Sequence, residues 1–163
     1  MSVTDVHKDA ATRTLVVTSE WAAPITRVWQ LWADPRQLER WWGPPTYPAK
    51  VSDHDLSPGG RVAYCMTGPE GDQYCGFWTV GDVEPPSRLT FVDAFADRDG
   101  NLNEDLPLTS AEVTLSELAD DRTRMVMTTT FPSEEAMEQI LAMGMEEGLS
   151  QAMGQIEGIL AEG

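Results

Sequence analysis

Basic residues are scarce in this sequence. Eleven Lys and Arg stand against 27 Asp and Glu, a formal charge of -16, which repels phosphate backbones and anionic bilayers at long range. Nucleic acid is not an expected partner. Long apolar runs are also lacking: no stretch approaches the roughly 20 residues needed to span a bilayer, and Met1 to Lys8 has no basic region leading into an apolar one. A cytoplasmic protein without membrane insertion is the default expectation.

Cysteine is limited to Cys65 and Cys75, and neither belongs to a CxxC pair, which argues against structural zinc or a thioredoxin-like site. Two reduced thiols are expected. The only histidines are His7, in a terminus expected to fray, and His54, expected at the surface. A nucleophile beside a base, or three converging ligands, has no support from so few candidates. We assign no metal, no cofactor and no catalytic residue.

What the sequence does have is enough apolar content, 41% with 8% aromatic, to pack a core in a chain of ordinary domain size. No repeat, low-complexity tract or Gly/Ser linker divides it, so residues 1–163 read as a single domain. A β-branched strand, Thr12 to Trp21, leads to Pro24 at a helix start, with Ile25, Val28, Trp29 and Trp32 at helical spacing. Pro35 ends that helix. A second short helix carries Leu38, Trp41 and Trp42 and stops at Gly43-Pro44-Pro45.

Strand-like segments follow near residues 47–56, 61–67, 73–83, 88–95, 111–118 and 123–131, separated by Gly-, Pro- and Asp-rich turns. Ser133 is a good N-cap for a long helix reaching about Leu160, roughly 42 Å at ~1.5 Å per residue. The fold class is α+β: a seven-stranded antiparallel sheet, two short helices after strand 1 and one long C-terminal helix.

A turn centred on Glu70 puts Cys65 opposite Cys75, Tyr64 opposite Gly76 and Met66 opposite Tyr74. One face then carries Val62, Tyr64, Met66, Tyr74, Trp78 and Val80, the more apolar set, which we assign to the interior with Phe91, Phe95, Met125 and Met127. Asp93 shares that face and must find a hydrogen-bond partner, a cation or water, unless its strand has already left the core. Along the last helix the stripe of Met137, Ile140, Leu141, Gly144 and Gly148 gives way to one displaced by roughly a quarter turn. A bend or irregularity between Gly144 and Gly148 is therefore expected.

Asp97 to Leu108 superficially matches a calcium loop, but its glycine stands fourth instead of sixth and Leu108 occupies the twelfth position. An acidic connecting loop fits better.

Val28-Trp29-Gln30-Leu31-Trp32, Trp41-Trp42-Gly43-Pro44, Asp55 to Arg61 and Gly76 to Phe91, in that order, resemble blocks of the heat-shock-protein ATPase activator-like (AHSA-type) group of the SRPBCC, or START-like, superfamily. The resemblance covers nearly the whole chain. It implies a helix-grip fold, with a curved sheet wrapped around the long helix and a ligand cavity between them. One departure concerns the last helix, where the Trp usual after the glycine is Leu149.

That superfamily includes lipid carriers, hormone receptors, cyclases and co-chaperone domains, so function is not fixed by it. The leading expectation is binding or carriage of a small hydrophobic ligand, without a reaction. Its candidate contacts are Trp42, Tyr64, Met66, Trp78, Phe91, Asp93, Phe95, Met127, Met137 and Leu141. The alternatives are a cyclase- or dehydratase-like enzyme using Tyr64 or Asp93 as acid or base, and a co-chaperone-like interaction module. A small apolar molecule is the expected partner; a homodimer is open, and a chaperone partner follows from family analogy alone.

Overall fold

A computed structural model describes residues 2–162. One sheet of eight strands runs in the order β1-β2-β8-β7-β6-β5-β4-β3: β1 Val3–Asp9, β2 Thr14–Trp21, β3 Ala49–His54, β4 Arg61–Thr67, β5 Gln73–Glu84, β6 Arg88–Ala96, β7 Thr109–Leu118 and β8 Arg122–Thr130. Neighbouring strands are antiparallel throughout. The strand count corrects the expected seven. The extra strand is β1, an edge strand paired with β2, in which only Val3 and Val6 pack against the core. His7 lies in it opposite Val16 instead of fraying.

Between β2 and β3 lie α1, Ile25–Ala33, and α2, Pro35–Trp41. Asp34 separates them and accepts the Arg36 amide, so Pro35 occupies the first turn of the second helix, where its missing N–H has no partner to lose. Trp32, Trp41 and Leu38 are buried against the sheet. Trp32 meets Trp41 edge to face at 4.8 Å, and Trp42 meets Trp78 at 5.0 Å, geometries that suit aromatic quadrupoles. His54 Nε2 bonds the Trp32 carbonyl at 2.9 Å and is half-buried, so it is not the surface histidine expected.

The expected long helix is three: α3 Glu134–Ala142, α4 Met145–Met153 and α5 Ile156–Ala161. Ser133 caps the first by accepting the Ala136 amide. Gly144 sits at φ +90°, a left-handed conformation that side chains resist. The expected irregularity is thus a full break of the helix at Gly144. The second interruption follows Met153 at Gly154 and Gln155. Gln155 Nε2 donates to the Gly43 carbonyl, and Arg27 Nη2 to that of Ile159. These bonds moor the end of the chain to the α1–α2 corner.

Cys65 and Cys75 are joined in a disulfide. The expected pairing is found, since Cys65 stands opposite Cys75, but the expectation of two free thiols is overturned. Direct cross-strand neighbours bring their Cβ atoms within disulfide reach. No helix among the described residues is long and apolar enough to cross a membrane.

Candidate functional site

A cavity of about 650 Å³ lies between the inner face of the sheet and the α3–α4 junction. Alternation along each strand builds its floor: Tyr64 and Met66 come from β4, Phe91, Asp93 and Phe95 from β6, Ala111 from β7 and Met127 from β8. Ile140, Met143, Gly144, Met145, Gly148 and Leu149 form the cover. Trp42, Pro44 and Tyr47, after α2, close one side, and Tyr74 stands at the rim with more than half its surface exposed.

Seven of the ten expected contact residues line this space: Trp42, Tyr64, Met66, Phe91, Asp93, Phe95 and Met127. Three do not. Trp78 is wholly buried behind the wall, its ring stacked on Phe91 at 3.9 Å. Met137 is buried in the core, and Leu141 packs against it from a half-buried position. Sequence reasoning missed Ala111, Thr109 and Thr129 on the wall. Their signal was present, since they continue the inward alternation of β7 and β8.

Asp93 remains on the inner face. The Tyr64 hydroxyl donates to Asp93 Oδ1 at 2.9 Å, reaching over β5 at Gly76, which pairs with Tyr64 on one side and Phe95 on the other. A Cβ there would collide with the Tyr64 hydroxyl and lie 2.7 Å from the ring's Cζ. Gly76 therefore permits the bond, a role that sequence reading did not assign.

Burial pushes the Asp93 carboxyl up to about 7, against the opposing hydrogen bonds from Tyr64 and the Ala94 amide. Burial first, and then the neighbouring Asp93, push the Tyr64 hydroxyl well above its ordinary 10. The cavity wall carries no Lys, Arg or His. Neither histidine reaches the wall, and among the described residues no group of three or more His, Cys, Asp or Glu could hold a metal ion. In the acidic loop, Asp97 Oδ1 accepts the amides of Asp99 and Asn101.

Indole N–H groups distinguish core from wall further. Those of Trp21, Trp32 and Trp41 donate to Ser19 Oγ, Met125 Sδ and the Leu31 carbonyl. Among the described residues, the only buried side-chain nitrogen or oxygen atoms without a hydrogen-bond partner are Nε1 of Trp42 and Nε1 of Trp78. Trp42 Nε1–H approaches the Tyr64 hydroxyl and opposes the upward push of burial and Asp93 on it. The contact does not reach hydrogen-bond geometry.

Residues 22–161 match the family model described as activator of Hsp90 ATPase homolog 1-like protein. The chain belongs to that family. Among solved structures, protein Ms6760 from Mycobacterium smegmatis is 51% identical, with 97% of this chain and 96% of that one covered at a TM-score of 0.90. A protein from Arthrobacter aurescens is 45% identical over 99% of this chain and 94% of its own, at a TM-score of 0.94. A Rhodobacter sphaeroides protein, 22% identical over 97% and 98% of the two chains, shares the fold at 0.83. No curated protein matches the chain. The family match spans β3 to β8 and all five helices, with β1 and β2 lying before it.

Proposed function

We propose that this protein binds or carries a small hydrophobic molecule in the cavity between the sheet and α3–α4. The observation that carries the reading is the cavity itself: about 650 Å³, walled by Met, Phe, Ala, Leu and Ile side chains, the size and character of a small-molecule site. A space lined mainly by apolar atoms gains by exchanging water for an apolar body, at roughly 25 cal/mol per Å² removed from water. Gly144 and Gly148 in the cover leave room where side chains would otherwise fill it.

Purification without detergent followed by native mass spectrometry tests this reading. Retention of an apolar molecule, or its stoichiometric uptake on soaking with apolar compounds, is expected. A protein that stays empty after both is not a carrier.

A second reading is favoured by one observation, the Asp93 carboxyl held near 7 in contact with Tyr64. A group poised there can donate or accept a proton near neutral pH. In a cyclase- or dehydratase-like enzyme it would serve as the acid or base. Asp93→Asn then abolishes turnover while ligand uptake persists; unchanged turnover rejects this reading.

A further inference from the structure

The mouth of the cavity is built differently from its interior. Tyr47 and Tyr74 both line the space there, with ring centroids 5.6 Å apart and planes tilted by 57°. Tyr74 keeps more than half its surface exposed, so its ring is open at the rim. The Tyr47 hydroxyl donates to Asp72 Oδ2 at 2.6 Å. Gly68 makes that approach possible: a Cβ there would lie 2.5 Å from the Tyr47 ring and 2.6 Å from Asp72 Oδ1. The turn between β4 and β5 thus delivers a carboxylate to the edge of an aromatic pair.

The charge at this mouth is not neutralised. Among the described residues neither Asp72 nor Glu70, in the same turn, forms an ion pair. The hydrogen bond to Asp72 first, then burial, the charge of Asp72 and, behind these, Tyr74 and Glu70, push the Tyr47 hydroxyl up to about 12, which places Glu70 within electrostatic reach as well. The wall behind carries no Lys, Arg or His. A carboxylate head would meet these acids with nothing to pair it, after repulsion at long range by an overall charge of -16. An uncharged head gains nothing from the charge. A cationic head gains from the carboxylates and from the ring faces, whose quadrupole attracts cations. At the mouth it keeps part of its hydration, whereas carrying it inward to Asp93 would strip that water at a cost that offsets the attraction.

We propose that the occupant is a cationic amphiphile, its apolar chain in the cavity and its ammonium head against the Tyr47–Tyr74 pair beside Asp72. The assignment rests on the cavity being a ligand site. The Tyr47–Asp72 bond, which ties the chain after α2 to the β4–β5 turn, holds the ring in place for the head.

Three probes of one chain length decide the matter: dodecyltrimethylammonium, 2-dodecanone and dodecanoate, each titrated by calorimetry below its micelle-forming concentration. The cation is expected to bind at least about tenfold more tightly than either of the others, the fold-change that a ring face and one exposed carboxylate supply together. Tyr74→Leu and Asp72→Asn should each cut that margin roughly threefold; asparagine still accepts the Tyr47 hydroxyl. Tyr74→Phe keeps the ring face and should restore the margin. Asp121→Asn removes the same charge from the exposed β7–β8 turn at the other end of the sheet and should leave the margin whole. The wild-type comparison needs no variant to fold. Ketone or dodecanoate binding as tightly as the cation overturns the assignment and leaves the cavity reading standing. A margin that survives Tyr74→Leu and Asp72→Asn as fully as it survives Asp121→Asn comes from overall charge and also overturns it. Failure of all three to bind overturns the cavity reading and this assignment with it.

Discussion

Tyr64 reaches Asp93 across an intervening strand. The two residues stand on β4 and β6, yet their side chains meet at 2.9 Å because β5 presents Gly76 between them. Neither partner is well placed without the other: Asp93 would be a half-buried acid without a side-chain donor, and Tyr64 a half-buried hydroxyl in a largely apolar wall.

Gly76→Ala should separate this pair. The added methyl meets the Tyr64 ring and the Ala94 carbonyl oxygen, the latter at 2.7 Å, and backbone cannot yield cheaply. A loss of about 1–3 kcal/mol is expected, read as a lower urea midpoint with unchanged m-value. A midpoint equal to wild type would mean that the strand relaxes freely and the close approach is unimportant.

Asp93→Asn should stabilise the protein in a pH-dependent way. The folded carboxyl titrates near 7 instead of its ordinary 3.8, so between those values the unfolded chain has released a proton that the folded chain retains. Stability contributed by wild-type Asp93 therefore falls as pH rises through this window. Tyr64, which donates to it, is held well above its ordinary 10 by burial and so stays neutral across this window. The variant is expected to exceed wild type by on the order of 2 kcal/mol at pH 8 and to match it near pH 4. A constant difference across that range contradicts the shifted carboxyl.

Gly144 and Gly148 should respond with opposite signs to alanine. Gly144 holds φ +90°, so Gly144→Ala costs roughly 1–2 kcal/mol through the left-handed backbone. Gly148 lies within α4 with no atom within 4 Å of an added Cβ, so Gly148→Ala gains about 1 kcal/mol in helix propensity. Thermal melts of both variants check the pair. Equal losses at the two sites would place the helix break elsewhere.

Reduction should weaken the β4–β5 hairpin. The disulfide closes a loop of sequence separation 10, for which chain entropy suggests roughly 2–3 kcal/mol. Cys65→Ser with Cys75→Ser is expected to lower the denaturant midpoint accordingly. An unchanged midpoint means that the pair is not oxidised in solution.

How far the sequence revealed this depended on the kind of signal. The hairpin about Glu70 was readable residue by residue, because period-two alternation and one turn fix a register: Cys65 opposite Cys75 and Tyr64 opposite Gly76. Oxidation of that pair was not, since the argument from a cytoplasmic setting outweighed the geometry. Strand β1 escaped because it is polar apart from Val3 and Val6 and takes its place by backbone pairing at an edge. The drift of the apolar stripe located the irregularity at Gly144 but did not distinguish a bend from a left-handed break.

On the wall, Trp42 and Phe91 were separable from Trp78 and Met137 only by position, because apolar side chains look alike whether they face a space or fill one. Asp93 showed itself as the exception on an apolar face. Its partner Tyr64 was on the same face, but their contact needed the third dimension that Gly76 supplies.

The most direct test of the cavity as a ligand site is a methyl-detected NMR titration with 2-dodecanone. Saturable shifts are predicted for the methyl groups of Ala111, Met127 and Ile140 on the inner wall, with Val92, exposed on β6, unmoved. Silent inner-wall methyls, or shifts confined to Val92 and its neighbours, would contradict the account.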